Sequence, residues 1–329
     1  MDNRNYSKTM STEIEESMKR IHYDSYDEWI KNFATNLDNI WKESSAGKII
    51  TIGDEVSEKE EPTAIVIGRG PSIKKKNHLE LLSKSDFKGK IVCCDGALID
   101  ALKAGVTPEK FPNFYVVTID PIAEVKKFYD DDIVDKYGSK IKGIFTVISH
   151  PSVVERARKA GIKIHWMHSL FDYNEGRKSF NYISALLVRT KNHTNGLPAI
   201  QTGGNVGTSS WFVSWKILKC SKVILIGINH GWEEDDSRET IIRHGLKHLS
   251  INIEESDHNF KKLFPKIFNP DIQKYCILDP IFQFYSTAFK EFISRAPSWV
   301  STINATEGGS IFGERIKSSK LKDILKIYD

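Results

Sequence analysis

Polar residues of catalytic type stand directly after short apolar runs in this chain. Asp95 follows Lys90 to Cys94 (KIVCC), Asp120 follows Phe114 to Ile119 (FYVVTI), and Asn229 and His230 follow Lys222 to Ile228 (KVILIGI). Two carboxylates facing one crevice could hold Mg²⁺ bridging phosphate oxygens, or one could take a proton from an acceptor hydroxyl. His230 is a candidate for acid, base or substrate contact, because an imidazole titrates near neutrality. Each Asp also precedes a turn residue, Gly96 or Pro121, so a bond to the following backbone is the structural alternative.

Two glycine-rich segments add candidate phosphate sites. Gly68-Arg69-Gly70-Pro71-Ser72 closes the run Ala64 to Gly68 (AIVIG), and Thr202-Gly203-Gly204-Asn205-Val206-Gly207-Thr208 leads into a helical stretch carrying Trp211 and Trp215. Gly68 and Gly70 let backbone approach a ligand closely, Pro71 and Ser72 open the next helix, and free N–H groups at a helix start favour an anion. Gly203, Gly204, Asn205, Gly207 and Thr208 offer donors to a phosphate or diphosphate in the same way. The first segment lacks both the third glycine of a dinucleotide fingerprint and the Lys-Ser/Thr ending of a P-loop. The structural alternatives are a tight turn at 68–72 and close helix packing at Gly207.

Other metal and thiol chemistry finds little support. Cys93, Cys94, Cys220 and Cys276 show no CxxC pairing and lie in apolar surroundings, which predicts buried, reduced thiols. The pairs His165 with His168 and His244 with His248 lack the Cys or Glu partners of a zinc site, and Gly245 weakens the helix the second pair needs. The sequons at Asn192 and Asn304 mean little in a cytosolic chain.

Positioning the first set of residues requires a sheet. The runs above, with Gly143 to Ile148 (GIFTVI) and Ile162 to Trp166 (IKIHW), are β-branched and almost continuously apolar, as strands buried on both faces must be. Helical patterns at 77–83, 97–104, 122–129, 152–160 and 206–218 separate most of them. This alternation predicts an α/β fold, a mostly parallel sheet with helices on both faces. In such a sheet ligands sit beyond the carboxyl ends of the strands, where strand order reverses, and that is where the polar residues fall. Upstream, Thr12 with Glu15 and Ser25 with Glu28 form capping boxes before apolar stripes that end at Trp41, which predicts a helical cover or oligomer contact. The polar run Gly53 to Pro62 reads as a linker. Downstream, Glu233 to Asn269 reads as an insertion or lid, Pro280 to Ile293 as a helix, Trp299 to Ala305 as an added strand and Ser319 to Ile327 as a closing helix. The resulting division is a helical segment with linker at 1–61, a sheet domain at 62–232, and a lid with a C-terminal α/β extension, packing on the core, at 233–329.

At 329 residues, 40% of them hydrophobic, the chain can bury a sizeable core in about two structural units. A net charge of +4 argues for neither nucleic acid nor a membrane surface as partner. No apolar run approaches the roughly 20 residues of a bilayer span, and residues 1–11 are polar, so the cytoplasm is the expected location.

Taken in order, Gly68-Arg69-Gly70-Pro71-Ser72, Cys94-Asp95-Gly96-Ala97, Thr118-Ile119-Asp120-Pro121, Thr202 to Thr208 and Ile226-Gly227-Ile228-Asn229 resemble the 6-hydroxymethylpterin diphosphokinase MptE-like family. Its domain is shared with the motility accessory factors (Maf) linked to flagellin glycosylation. The resemblance spans about Pro62 to Trp232, and Asn304-Ala305-Thr306-Glu307-Gly308-Gly309 is similar to the family's C-terminal signature. It implies a Rossmann-like domain and one of two transferase chemistries. The first moves a diphosphate from ATP to the hydroxymethyl group of a reduced pterin, with Mg²⁺. The second moves a nonulosonic sugar from a CMP donor to a Ser or Thr hydroxyl. In the pterin version, Gly68, Gly70, Ser72 and Gly203 to Thr208 cradle phosphates, and Asp95 and Asp120 hold Mg²⁺ or activate the hydroxyl. Asn229 and His230, with Asn304 and Glu307 of the signature, contact substrate. The family often places Asp where this chain has Asn229, an uncharged amide, which leaves a nucleotide-binding protein without turnover as a third reading. The implied partners are a nucleotide with a pterin or sugar, and a second copy through the N-terminal helices.

Overall fold

The computed structural model describes residues 26–50, 62–170, 179–246 and 260–328. The expectations for Thr12 to Ile21, for residues 53–61 of the linker and for His248 lie outside them. In chain order the strands are β1 (Ser44–Ser45), β2 (Thr63–Ile67), β3 (Lys90–Cys94), β4 (Phe114–Thr118), β5 (Lys142–Thr146), β6 (Lys163–Leu170), β7 (Ala199–Gln201), β8 (Lys222–Ile226), β9 (Trp232–Glu233), β10 (Lys266–Asn269), β11 (Lys274–Ile277), β12 (Ser301–Asn304) and β13 (Ile316–Ser318).

Ten of them form one sheet in the order β1-β6-β5-β4-β3-β2-β8-β12-β13, with β7 paired to β6. Its pairings are parallel throughout. Successive side chains of a strand point to opposite faces, so an all-apolar strand feeds two cores. Ile65, Ile67, Ile91, Cys93, Val116, Ile224 and Ile226 enter one core, against the helices 26–42, His78–Lys84, Leu98–Lys103, Pro151–Lys159 and Leu321–Leu325. Ala64, Val66, Val92, Val117, Val223 and Leu225 enter the other, against Val206–Phe212 and Pro280–Ser294. The chain steps outward from β2 to β6, then returns to lay β8 on the opposite edge of β2. Strand order reverses between β2 and β8, which opens a crevice beyond their carboxyl ends.

Two results differ from the sequence reading. The region read as insertion or lid, Glu233 to Asn269, is bounded by β9 and β10, which join β11 just beyond it in a separate antiparallel sheet, β10-β11-β9, whose strands of two to four residues are too short to show an alternation. The helix expected over 206–218 is α-helical only at Val206–Phe212 and continues as a π turn over Val213–Ile217. All four cysteines are free and buried, as expected.

Candidate active site

The loop after β2 and the loop after β8 are packed onto each other. Gly68 N donates to Ile226 O and Gly70 N to Gly227 O, both at 2.8 Å. A Cβ on Gly70 would lie 2.1 Å from Asn229 Oδ1, and one on Gly68 would lie 2.4 Å from Gly227 O. These glycines therefore serve the approach of loop to loop, and their N–H groups are already donated within the protein rather than free for a phosphate. Ser72 Oγ, also buried, donates to Asn229 Oδ1 at 2.9 Å. Pro71 takes the N-cap position of the short helix Ser72–Lys75 without a side-chain bond. At the end of that helix Lys75 Nζ pairs with Glu233 at 3.1 Å and with Asp235 and Asp236 at 3.0 Å, tying the start of the lid to the first loop.

Asp95 and Asp120 come together beyond β3 and β4. Asp95 is 2% exposed; its Oδ1 accepts from Gly96 N at 2.7 Å, and its Oδ2 is buried without a hydrogen-bond partner. Burial, and then the charge of Asp120, push the Asp95 carboxyl up to about 7, while the Gly96 amide, the neighbouring Thr118 hydroxyl and Arg69 pull the other way. Burial raises Asp120 as well. Each carboxylate thus resists ionising while the other is charged, and the two titrate as a pair. Arg69 stands over the Phe128 ring at 4.9 Å, on the exposed side of the same loops. It sits in the first glycine motif but escapes the sequence selection; a lone Arg between two glycines is the signal.

The Asp120 loop is held by the N-terminal helix. Asn32 Nδ2 donates to Pro121 O at 2.9 Å and Ile148 O at 3.2 Å, and Asn36 Nδ2 to Ser149 O at 2.8 Å and Val147 O at 3.3 Å. Both amides are buried. This helix is thus more than a cover, since it fixes the backbone that carries one carboxylate.

The second glycine loop leans on the helix Pro280–Ser294. Gly203 and Gly204 have φ of 58° and 79°, a left-handed region that favours glycine. Asn205 caps the following helix by accepting from Thr208 N at 2.9 Å, and its Nδ2 donates to Thr208 Oγ1 at 3.1 Å. A Cβ on Gly204 would lie 2.5 Å from Tyr285 Cε1, and one on Gly207 would lie 2.8 Å from Ile228 Cδ1, so position 207 does serve close packing. His230 has φ of 40° and is buried beside Phe282, Tyr285 and Phe289, with ring centroids 6.2, 6.0 and 5.8 Å away. Burial lowers it to about 3, so it is neutral at physiological pH, and its Nδ1 has no partner. Asn229 is likewise buried with Nδ2 unpartnered.

The C-terminal signature buttresses this loop. Asn304 donates to Ile311 O at 2.6 Å and accepts from Thr306 N at 3.0 Å, so its amide serves its own turn. Thr306 Oγ1 accepts from Ile228 N at 3.2 Å, and Ser310 N donates to Asn229 O at 2.8 Å. Glu307 Oε1 lies 3.3 Å from Nε2 of the buried His78 and accepts from Leu321 N at 3.3 Å. The structure thus packs the first glycine loop, Asn229 and the C-terminal signature on one another, seats Gly207 of the second loop against Ile228, brings Asp95 and Asp120 within each other's electrostatic reach, and ties Asn304 and Glu307 into the C-terminal turn behind Asn229.

The family model for 6-hydroxymethylpterin diphosphokinase MptE-like proteins matches residues 31–235. The chain belongs to this family. Its fold is similar to that of the Maf glycosyltransferase from Magnetospirillum magneticum AMB-1, at a TM-score of 0.56 and 13% identity. That likeness covers 81% of this chain but only 35% of the larger protein. No curated protein matches the chain. Membership and likeness together support a transferase with a Rossmann-like α/β fold. Among the described residues no helix is long and apolar enough to cross a membrane.

Proposed function

We propose that the chain transfers a glycosyl group from a nucleotide-linked donor to a hydroxyl acceptor, with Asp95 and Asp120 taking the proton. The observation that carries this reading is the buried carboxylate pair beyond the carboxyl ends of β3 and β4, in which burial raises both groups and holds Asp95 at about 7. The acceptor oxygen bonds to the anomeric carbon, the bond from that carbon to the phosphate oxygen breaks, and its electron pair leaves on the nucleotide phosphate. The acceptor proton passes to the ionised member of the pair. A base that titrates near 7 suits this work, since it is part ionised at neutral pH yet basic enough to accept. Exposed Arg69, beside these loops, would pair with the departing phosphate, and the unpartnered Asn229 Nδ2 would be a second donor. Glycosyl transfer is favoured because the fold likeness to a glycosyltransferase covers more of the chain than the family model does.

A second reading is diphosphoryl transfer from ATP to a hydroxymethylpterin, favoured by the description of the family itself. The residues fit a magnesium ion, because Mg²⁺ is commonly held by one or two carboxylates together with substrate phosphates and waters. Asp95 Oδ2 is a buried oxygen without a partner, and Asp120 would supply the second ligand. Bound there, the ion would neutralise phosphate charge.

Release of CMP from a CMP-linked acidic sugar, and of AMP from ATP with Mg²⁺ and the reduced pterin, separates the two. We expect CMP release that survives chelation. Asp95→Asn should lower turnover about 100-fold or more while nucleotide affinity stays within about threefold. Wild-type turnover should rise with pH and level off above about 7, as Asp95 ionises. Folded protein that releases neither nucleotide contradicts the transferase reading, and AMP release abolished by chelation selects the second.

A further inference from the structure

The amide of Asn229 is half used. Its Oδ1 accepts from Ser72 Oγ at 2.9 Å, but Nδ2 is buried without a hydrogen-bond partner, in a side chain only 3% exposed. A buried amide nitrogen without an acceptor is costly and calls for a ligand or an ordered water. The bare Cα of Gly308 shows what stands beside it. A Cβ there would lie 3.1 Å from Asn229 Nδ2 and 3.0 Å from Glu233 Oε1, so an amide donor and a carboxylate acceptor converge on one small space. Glu233 is fixed in this position: its backbone pairs with Cys276, its N–H donates to Asp236 at 2.7 Å, and its other oxygen, Oε2, pairs with Lys75 at 3.1 Å. Its side chain keeps 19% exposure, so a ligand can reach it from solvent.

We infer that Glu233 Oε1 and Asn229 Nδ2 together bind one ribose hydroxyl of the nucleotide, which donates to the carboxylate and accepts from the amide. The inference deepens the nucleotide-donor reading above and rests on it. Two atoms that converge on one point ask for a single ligand atom that both donates and accepts, and a hydroxyl is that group. A phosphate oxygen has no proton to give at neutral pH and a carboxylate would repel it, while a base edge carries its donors and acceptors on separate atoms. The place agrees, because Asn229 and Ser72 follow β8 and β2, where strand order reverses and parallel sheets bind nucleotides, in dinucleotide folds with a carboxylate on the ribose. The amide nitrogen carries two hydrogens, so one remains for the phosphate.

The test is titration of CMP and of ATP, each with the analogues that lack either ribose hydroxyl, into wild type, Glu233→Ala and Glu233→Gln, with melting temperatures measured in parallel. Wild type should bind the ribonucleotide roughly tenfold or more tighter than one of its two deoxy analogues. Glu233→Ala leaves Lys75 its pairs with Asp235 and Asp236, so the melting temperature should fall by only about 2–4 °C. That variant should bind ribonucleotide and deoxy analogue alike, since both changes remove the same interaction. Glu233→Gln keeps an acceptor oxygen and should retain part of the preference; should Glu233→Ala fail to fold, wild type and Glu233→Gln still decide. A ribose preference that Glu233→Ala leaves intact, or a wild type that binds all three forms equally, overturns this inference while the nucleotide site stands. A wild type that binds neither CMP nor ATP overturns the donor reading and this inference with it.

Discussion

The two glycine-rich loops read alike as sequence and work differently in the fold. In the loop after β2, Gly68 and Gly70 have their N–H groups bonded to the carbonyls of Ile226 and Gly227, and the absence of a side chain lets two loops touch. In the loop before the helix Val206–Phe212, Gly203 and Gly204 adopt left-handed backbone and leave space beneath Tyr285. The first pair lets two loops pack together; the second seats aromatic rings of the helix Pro280–Ser294. A glycine in a ligand-binding motif can thus be required by protein packing alone, and the two cases are told apart by what a Cβ would strike.

Substitutions should separate these roles, the largest effect first. Gly70→Ala places a methyl 2.1 Å from Asn229 Oδ1 and 2.6 Å from Gly227 O, where backbone cannot yield. It should destabilise the protein by about 3 kcal/mol or more, read as a lowered denaturation midpoint; a near-neutral result would break the comparison. Gly204→Ala meets a side chain instead of backbone and should lose only about 1–2 kcal/mol for its positive φ, read by the same denaturation. Arg69→Ala removes an exposed cation, so affinity for the nucleotide should fall about tenfold while the melting temperature stays put. An equal loss in 1 M salt would argue against a charge contact.

The smallest expected effect concerns the stability profile. Asp95 keeps its proton to about 7 in the fold but loses it near 3.8 when unfolded, so its contribution falls as pH rises through that window. Asp95→Asn should therefore gain stability relative to wild type as pH rises from about 4 to about 8, and the gain should vanish below about pH 4. His230 acts in the opposite sense. Held neutral down to about 3, it makes the fold less stable as pH falls below about 6.5, a loss that His230→Gln should lessen.

Much of this was legible in the chain itself. The central strands β2, β3, β4 and β8 announce themselves because burial on both faces makes them almost continuously apolar. Asp95 and Asp120 stand out by one rule, that ligands meet the carboxyl ends of parallel strands, and the structure puts Asp95, buried, directly after β3 and Asp120 two residues after β4. Edge strands such as β1 and β7 escaped, since two or three residues make no pattern. Asn32 and Asn36 escaped for another reason, because their partners lie about 90 to 115 residues away and only the fold brings them near. A signal was present: Asn36 falls on the same helical face as Trp29, Phe33 and Ile40, and a polar residue inside an apolar stripe asks for a buried partner.

The proton shared by Asp95 and Asp120 is the centre of the account, and carbon-detected NMR titration of the aspartate carboxyls, assigned through Asp95→Asn and Asp120→Asn, observes it directly. The pair should titrate in two steps, one of them near pH 7, and nucleotide binding should shift that step. Two aspartates that both ionise below pH 5, with no response to nucleotide, would contradict it.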